Sequence, residues 1–431
     1  MEKKFTNLFK GDKVIWMVFF FLCVVSVIEV YSASSMLTYK SGNYLYPVIY
    51  HTVILLVGVF CAIVTLNIPC RFFKIATPLA LILSLVTLIA VFFIGHKEND
   101  AARWIGIFGI KFQPSEIAKG ALILATAQIL SALQREKGAD KNAMPYILWI
   151  CAFIIPLIFI ENFSTAALLS FVIFLMMVIG RVPWQQLGKL VSAVIIAGVL
   201  AVMLIMNFGD TSQKNDEEGT QTEMAANTGK TDKDSKEEKS LAQKVFHRLG
   251  AWKMRIEDFT NKDPQKKYDL KNKPQRVHGN IAIGTSSLLG KGPGNSVERD
   301  FLPAAHCDFI YAIIIEEMGL IGGIAVAALY IILLFRTARI ARRCENNFPA
   351  FLAIGIALLL VVQACFNMYV AVDLAPITGQ PLPLISKGGT SSIINCIYIG
   401  VLLSISRTAK VAKDKGGEEE LKPEMQVVNN G

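Results

Sequence analysis

Apolar residues in this chain come in long blocks joined by short polar links, not in the spacing of amphipathic strands or helices. The blocks are Val14–Met36, Pro47–Ile68, Phe72–Ile94, Pro145–Ile160, Ala166–Ile179, Leu190–Phe208, Phe309–Phe335, Phe348–Val372 and Ile393–Ile405. Ile117–Leu133 joins them if Pro114 marks a helix start. A hydrocarbon core about 30 Å thick takes about 20 apolar residues in helix. The pattern predicts an all-α polytopic integral membrane protein with about ten transmembrane helices. The first block follows Lys3 and Lys4 and reaches Ser32-Ala33-Ser34, a weak cleavage-site match. It is too long for the apolar core of a signal peptide and reads as a retained helix.

Lys and Arg in short links set the orientation. Lys3, Lys4, Lys10, Lys13, Arg71, Lys74, Arg135, Lys137, Lys141, Arg181, Lys189, Arg336, Arg339, Arg342 and Arg343 fall on one side, against Lys40, Lys97, Arg103 and Lys111 on the other. Both termini are therefore expected in the cytoplasm. The longest link then lies outside, before the eighth helix. Its first part, Asp210–Ser240, has almost no large apolar residue and reads as a disordered insertion. Beyond it, Phe246, Leu249, Trp252, Ile256, Phe259 and Tyr268 suit short interfacial helices. The expected organisation is a cytoplasmic segment 1–13, helices one to seven over 14–208, and an extracytoplasmic loop over 209–308. Helices eight to ten then fill 309–407, interrupted by a Pro/Gly-broken segment at 374–392, and a cytoplasmic tail follows at 408–431.

Composition changes this picture only in detail. The chain of 431 residues is 53% hydrophobic and 18% charged, where a soluble domain carries about 25% charge. Its mean hydropathy is +0.47. The net charge of +9 invites a nucleic-acid reading. The excess is spread over the short inner links, however, and the long outer loop is nearly neutral. Anionic lipid is its natural partner, not nucleic acid. Eight cysteines show no CxxC spacing and five histidines no metal-ligand spacing, so neither a disulfide framework nor a structural zinc site is expected. No Walker loop, GxSxG elbow or HExxH occurs, which leaves nucleotide hydrolysis and protease chemistry unsupported.

Ionisable groups at membrane depth are functional candidates by default. Glu116 and Lys119 share a helix face, either as an ion pair holding the fourth helix or as a site for an anionic head group. Asp308, after His306 and Cys307, either caps the eighth helix or serves as a general base at the outer surface. Glu316 and Glu317, two turns on, are hard to explain by packing alone. The segment Leu374–Ser392 carries Pro376, Gly379, Pro381, Pro383, Gly388 and Gly389. Broken backbone is tolerated at that depth only when buried in protein or lining a wet cavity. Ser386, Lys387, Thr390 and Ser391 would supply donors to a polar substrate there. Glu161-Asn162 and Glu29 are weaker candidates.

These residues resemble the SEDS family of polytopic membrane proteins, to which FtsW and RodA belong. The likeness runs nearly the whole length. It rests on Val30-Tyr31-Ser32-Ala33-Ser34, on Arg103-Trp104-Ile105, on Phe112-Gln113-Pro114-Ser115-Glu116 with Ala118-Lys119, and on Leu289-Gly290-Lys291-Gly292. Asp308-Phe309-Ile310, Glu316-Glu317-Met318-Gly319 and Pro381-Leu382-Pro383-Leu384-Ile385-Ser386 are the most specific blocks. Gly294-Asn295-Ser296-Val297 and Ala305 look more like the division branch than the elongation branch. Several positions depart from the family pattern. Ala102 stands for the first of a doubled Arg, Asn162 for an Asp, His278 for a Gln, and Lys387 for an aromatic residue.

The resemblance implies a peptidoglycan glycosyltransferase that polymerises lipid II outside the membrane during septal wall synthesis. It would work with a class B penicillin-binding protein and other divisome proteins. Asp308 matches the family's catalytic aspartate, and Gln275 a family glutamine. Arg103, Trp104, Glu116, Lys119, Gln275, His306, Ser386, Lys387, Thr390 and Ser391 are the substrate-binding candidates. No firm metal site is implied, although a divalent cation, Mg or Mn, would suit a diphosphate leaving group. A lipid II flippase and a non-catalytic divisome scaffold are the competing readings.

Overall fold

The structure, a computed structural model, describes residues 10–33, 46–98, 101–107, 110–200, 203, 255, 259–260, 263, 268–270, 273–302 and 305–420. For 96–98, 101–103, 107, 110–111 and 410–420 it describes the backbone alone. The expected insertion 210–240, the apolar residues Phe246–Ile256 and the end of the tail lie outside the described residues. The chain forms two compact units, Pro183–Lys267 and all the rest. Among its described residues the smaller unit contains the apolar helix Trp184–Leu200 (α7).

The larger unit is built from α1 (Lys13–Ala33), α2 (Tyr46–Asn67), α3 (Cys70–Ile94), α4 (Pro114–Ala132), α5 (Ala143–Glu161), α6 (Phe163–Ile179), α8 (Pro274–Gly284), α9 (Ile310–Ala341), α10 (Asn347–Ala371) and α11 (Thr390–Glu420). Among the described residues seven helices are long and apolar enough to cross a membrane: α1, α2, α3, α5, α9, α10 and the Thr390–Ala409 part of α11. The shorter apolar helices α6 and α7, and α4 with its Glu116 and Lys119, complete the ten expected from the apolar blocks. The protein is a multi-pass membrane protein. Outward faces of α2 and α3 carry exposed Leu56, Phe60, Leu79 and Phe93. Such a surface suits hydrocarbon and would be a liability in water.

Local sequence explains the ends. Asp12 Oδ1 accepts from the amides of Val14 and Ile15 at 2.9 and 3.2 Å and so opens α1. Pro114 takes the first position of α4, where a missing N–H costs nothing. Asn162 Oδ1 accepts from the Thr165 amide at 3.2 Å and caps α6. The block pattern did not announce a three-stranded antiparallel sheet, β1 (His96–Glu98), β2 (Ala101–Ile107) and β3 (Ile110–Phe112), between α3 and α4. Two of its strands are three residues long, too short to show a period of two.

Helix α9 lies along α10 and α1, α11 along α2, and α4 between α3 and α10. At one end of this bundle Asp12 clasps Arg336 of α9, with Nε to Oδ1 and Oδ2 at 3.0 and 2.9 Å. The Asp12 amide donates to Ser406 Oγ of α11 at 2.9 Å, so three helices meet there. Burial raises the Asp12 pKa, but the Arg336 hydrogen bonds and charge and the two amides outweigh it and hold the carboxyl below its ordinary 3.8. A lowered folded value means that this contribution is complete above the unfolded pKa and is lost as the pH falls through the folded one. Arg336→Ala is expected to lower stability by about 1–2 kcal/mol at neutral pH. Thermal melts of the solubilised protein check this, and the gap should close in strong acid; a gap independent of pH would assign the loss to packing.

Candidate active site

At the opposite end of α9, the segment between α10 and α11 has no regular structure. Asp373, Gly379, Leu384 and Gly389 there have φ of 56, 69, 68 and 55°. A leucine in that region costs roughly 1–3 kcal/mol and persists only where its surroundings impose it. The surroundings are polar side chains from four helices. Ser26 Oγ of α1 donates to the Ile385 carbonyl at 2.7 Å, and Tyr330 of α9 donates to the Pro383 carbonyl. From α10, Gln363 Nε2 donates to Pro381 O at 3.0 Å and Asn367 Nδ2 to Gln380 O at 2.8 Å. Gln380 Nε2 reaches Thr165 Oγ1 of α6 at 2.9 Å. The prolines remove donors and these side chains satisfy the freed carbonyls, which makes broken backbone tolerable among membrane helices.

This segment is stitched to the one that carries Asp308. The Ser386 hydroxyl donates to Cys307 O at 2.6 Å and accepts from the Leu382 amide at 2.8 Å. The Lys387 amide donates to His306 O at 3.0 Å, and the Cys307 thiol to Lys387 O at 3.5 Å. Asn367 Nδ2 is shared between Gln380 O and Asp308 O, 2.8 Å from each. A buried apolar layer of Ala33, Leu302, Ala305, Phe309, Ile313 and Val370 lies alongside. The half-buried Asp308 therefore has an immobile main chain. Its Oδ2 faces Gly379, where a Cβ would stand 3.5 Å away. Phe309, not Asp308, occupies the N-cap position of α9. Burial, and then the charge of Lys387, lower the His306 pKa to about 4, which leaves a neutral imidazole beside the carboxylate.

Glu116 and Lys119 lie deeper. Their carboxylate and ammonium are 2.8 Å apart, both almost wholly buried, and Lys119 Nζ also donates to Gln363 Oε1 at 3.0 Å. Of the two sequence expectations the geometry favours the structural pair, which braces Gln363 and through it Pro381. Removing one partner of a buried pair costs about 3–5 kcal/mol. Lys119→Met is expected to show a loss of that size in thermal melts, and Glu116→Gln/Lys119→Met to recover most of it. A double variant no more stable than the single one would argue for a binding role.

Glu316 and Glu317 are fully buried and serve a break in α9. Gly319 is non-helical at φ 73°, ψ −177°, and the loop Ser287–Val297 fills the gap. The Lys291 and Gly292 amides donate to Glu316 O and Glu317 O at 2.9 and 2.8 Å. Glu316 Oε1 binds Lys291 Nζ at 2.6 Å and the Val297 amide at 3.1 Å. Glu317 takes the Gly294 and Ser296 amides at 2.8 and 3.1 Å, with the Ser32 hydroxyl on one oxygen and Arg299 NH1 at 3.9 Å. A Cβ on Gly290 would lie 2.2 Å from Glu317 O, and one on Gly319 2.3 Å from Leu288 O. Only bare backbone fits at that crossing.

The remaining candidates are dispersed. Trp104 is half-buried on β2, and the Arg103 side chain lies outside the described residues. Gln275 and Thr390 are half-buried and Ser391 is buried. Sequence reasoning missed the pairs Arg276–Asp373 at 2.8 Å and His278–Glu298 at 2.6 Å, which tie α8 to the broken segment and to the Glu298–Asp300 turn. Arg276 is 5% exposed, and no spacing rule joins residues so distant in the chain. Among the described residues no group of three or more His, Cys, Asp or Glu is placed to hold a metal ion. Asp308 could offer one carboxylate to a cation carried by a diphosphate, and no step below runs through one.

Known proteins share the sequence pattern and the fold of this chain. The curated relatives include proteins named "Probable peptidoglycan glycosyltransferase FtsW" from Geobacter metallireducens and Halomonas elongata. The first is 31% identical, covering 93% of this chain and 95% of the relative; the second is 28% identical, covering 91% and 89%. Among solved structures, a chain of a peptidoglycan synthase complex that coordinates polymerization and crosslinking has a TM-score of 0.67 at 20% identity, covering 93% of this chain and 98% of that one. The rod shape determining protein RodA of Thermus thermophilus has a TM-score of 0.60 at 20% identity, covering 93% and 98%. These two likenesses establish the fold. The model of the FtsW/RodA/SpoVE family of cell cycle proteins matches residues 12–215 and 241–411. With the blocks at Glu116, Asp308, Glu316 and Pro381 all assembled at one end of the bundle, the chain belongs to that family.

Proposed function

We propose that this protein is a peptidoglycan glycosyltransferase, polymerising lipid II into β-1,4 glycan strands at the outer face of the cytoplasmic membrane during septal wall synthesis. The observation that carries the reading is Asp308, a half-buried carboxylate on an anchored main chain, facing a glycine and a broken segment whose carbonyls are satisfied from within. The names of the curated relatives support the reaction class. An α-linked donor that gives a β-linked product requires inversion. The acceptor hydroxyl oxygen bonds to the anomeric carbon as the bond to the diphosphate oxygen breaks. Asp308 takes the hydroxyl proton, the donor glycan stays bonded to the acceptor, and polyprenyl diphosphate is the leaving group. Likeness to a chain of a complex that couples polymerization to crosslinking supports a crosslinking partner, here a class B penicillin-binding protein within the divisome.

The test is detergent-solubilised protein given labelled lipid II, with and without that partner. Polymer is the expected product. Scrambling of lipid II across vesicles without polymer would make the protein a flippase, and neither activity would make it a scaffold. Depletion in cells is expected to give filaments; round cells would assign it to elongation.

A further inference from the structure

We infer that Lys387 binds the diphosphate of the polyprenyl-linked donor, as a cation left uncommitted, among the described residues, on the segment bonded to that of Asp308. The inference rests on the glycosyltransferase reading above for the identity of the anion. Four other cations at this end of the larger unit are already matched to carboxylates: Lys119 to Glu116 at 2.8 Å, Arg276 to Asp373 at 2.8 Å, Lys291 to Glu316 at 2.6 Å and Arg299 to Glu317 at 3.9 Å. Their charge is spent on holding the loop and the broken segment in place. Among the described residues, Lys387 has no such carboxylate within ion-pair distance, although it is half-buried. Backbone bonding to His306 at 3.0 Å, with the Cys307 thiol 3.5 Å from its carbonyl, holds its main chain opposite the residues that lead into Asp308.

A half-buried cation without a counter-charge is costly, and an incoming anion relieves the cost. His306, kept neutral, offers a hydrogen bond and no competing charge. Inversion needs a base on the attacking side of the reacting carbon and positive charge where the leaving group departs. Asp308 and Lys387 stand on two different, mutually bonded segments and can serve the two sides.

The experiment uses the full chain in detergent with geranylgeranyl diphosphate and geranylgeraniol as probes, measured by equilibrium dialysis. Lys387→Gln is expected to weaken the diphosphate about tenfold or more, while Lys387→Arg retains it and the alcohol binds all three proteins alike. On the unmodified chain, amine acylation read by mass spectrometry should spare Lys387 in the presence of the diphosphate and not of the alcohol. Undiminished diphosphate binding by the Gln variant, or equal acylation with and without diphosphate, overturns the inference. Should the Gln variant not fold, the protection experiment decides alone. Polymer from wild type with normal diphosphate binding by the variant sinks only this assignment. Absence of polymer from wild type sinks the glycosyltransferase reading, and the two binding measurements still answer for Lys387.

Discussion

Asp308→Ala is expected to abolish glycan polymerisation and to leave a folded, inserted protein. A positioned general base contributes about 10²–10⁴ in rate, so the loss should be at least about a hundredfold. The two halves of the expectation have separate structural grounds. The bond that anchors this position runs from Asn367 to the Asp308 carbonyl, which survives any side-chain change. The N-cap position of α9 is Phe309, one residue further on. Asp308→Asn should be as inactive as the alanine variant, because the amide keeps the shape and loses the basicity. Labelled lipid II resolved on gels measures the product, and melting temperature in detergent reports the fold. Product of normal length from either variant would refute Asp308 as the base.

Glu317→Ala should act through the fold. One fully buried carboxylate there satisfies the Gly294 and Ser296 amides, the Ser32 hydroxyl and the Arg299 charge. Its removal leaves the buried Ser296 amide and the part-buried Gly294 amide without their acceptor and takes a counter-charge from Arg299. A broken buried pair costs about 3–5 kcal/mol, and unsatisfied donors add to it, so the loss should exceed that of Arg336→Ala several-fold. The released segment is Ser287–Val297, which fills the break at Gly319. Limited proteolysis should then cut within that loop in the variant and spare it in the wild type. Glu317→Gln keeps an acceptor and should lie between the two. Gly319→Ala tests the same crossing sterically and should mimic Glu317→Ala, since its Cβ would meet Leu288 O at 2.3 Å. An Ala variant as resistant as wild type would show that the loop is held by something other than these carboxylates.

Much of this architecture was legible in the chain itself. A span of hydrocarbon demands an uninterrupted run of apolar residues, and that demand is local, so ten runs announced ten helices. Pro114 marked the start of α4 for an equally local reason. The prolines and glycines of 374–392 marked broken backbone, and membrane physics then required that protein surround it. What the run of residues did not contain was the set of partners. Glu316 and Glu317 looked like a functional pair, and they turn out to bind loop amides whose sequence neighbours gave no hint of the crossing at Gly290 and Gly319. Lys119 looked available to a head group until its ammonium was found on Glu116 and Gln363.

The sequence by itself determined the membrane class, the number of helices, the place of the broken segment and the residue types that can do chemistry. All of these follow from composition and spacing within one stretch of chain. Only the tertiary structure decided which charges are committed and which remain for a ligand. That depends on distances of about 3 Å between residues tens to hundreds of positions apart. Arg276 with Asp373, Lys119 with Gln363 and Asn367 with Asp308 are contacts of that kind, and no periodicity along the chain encodes them.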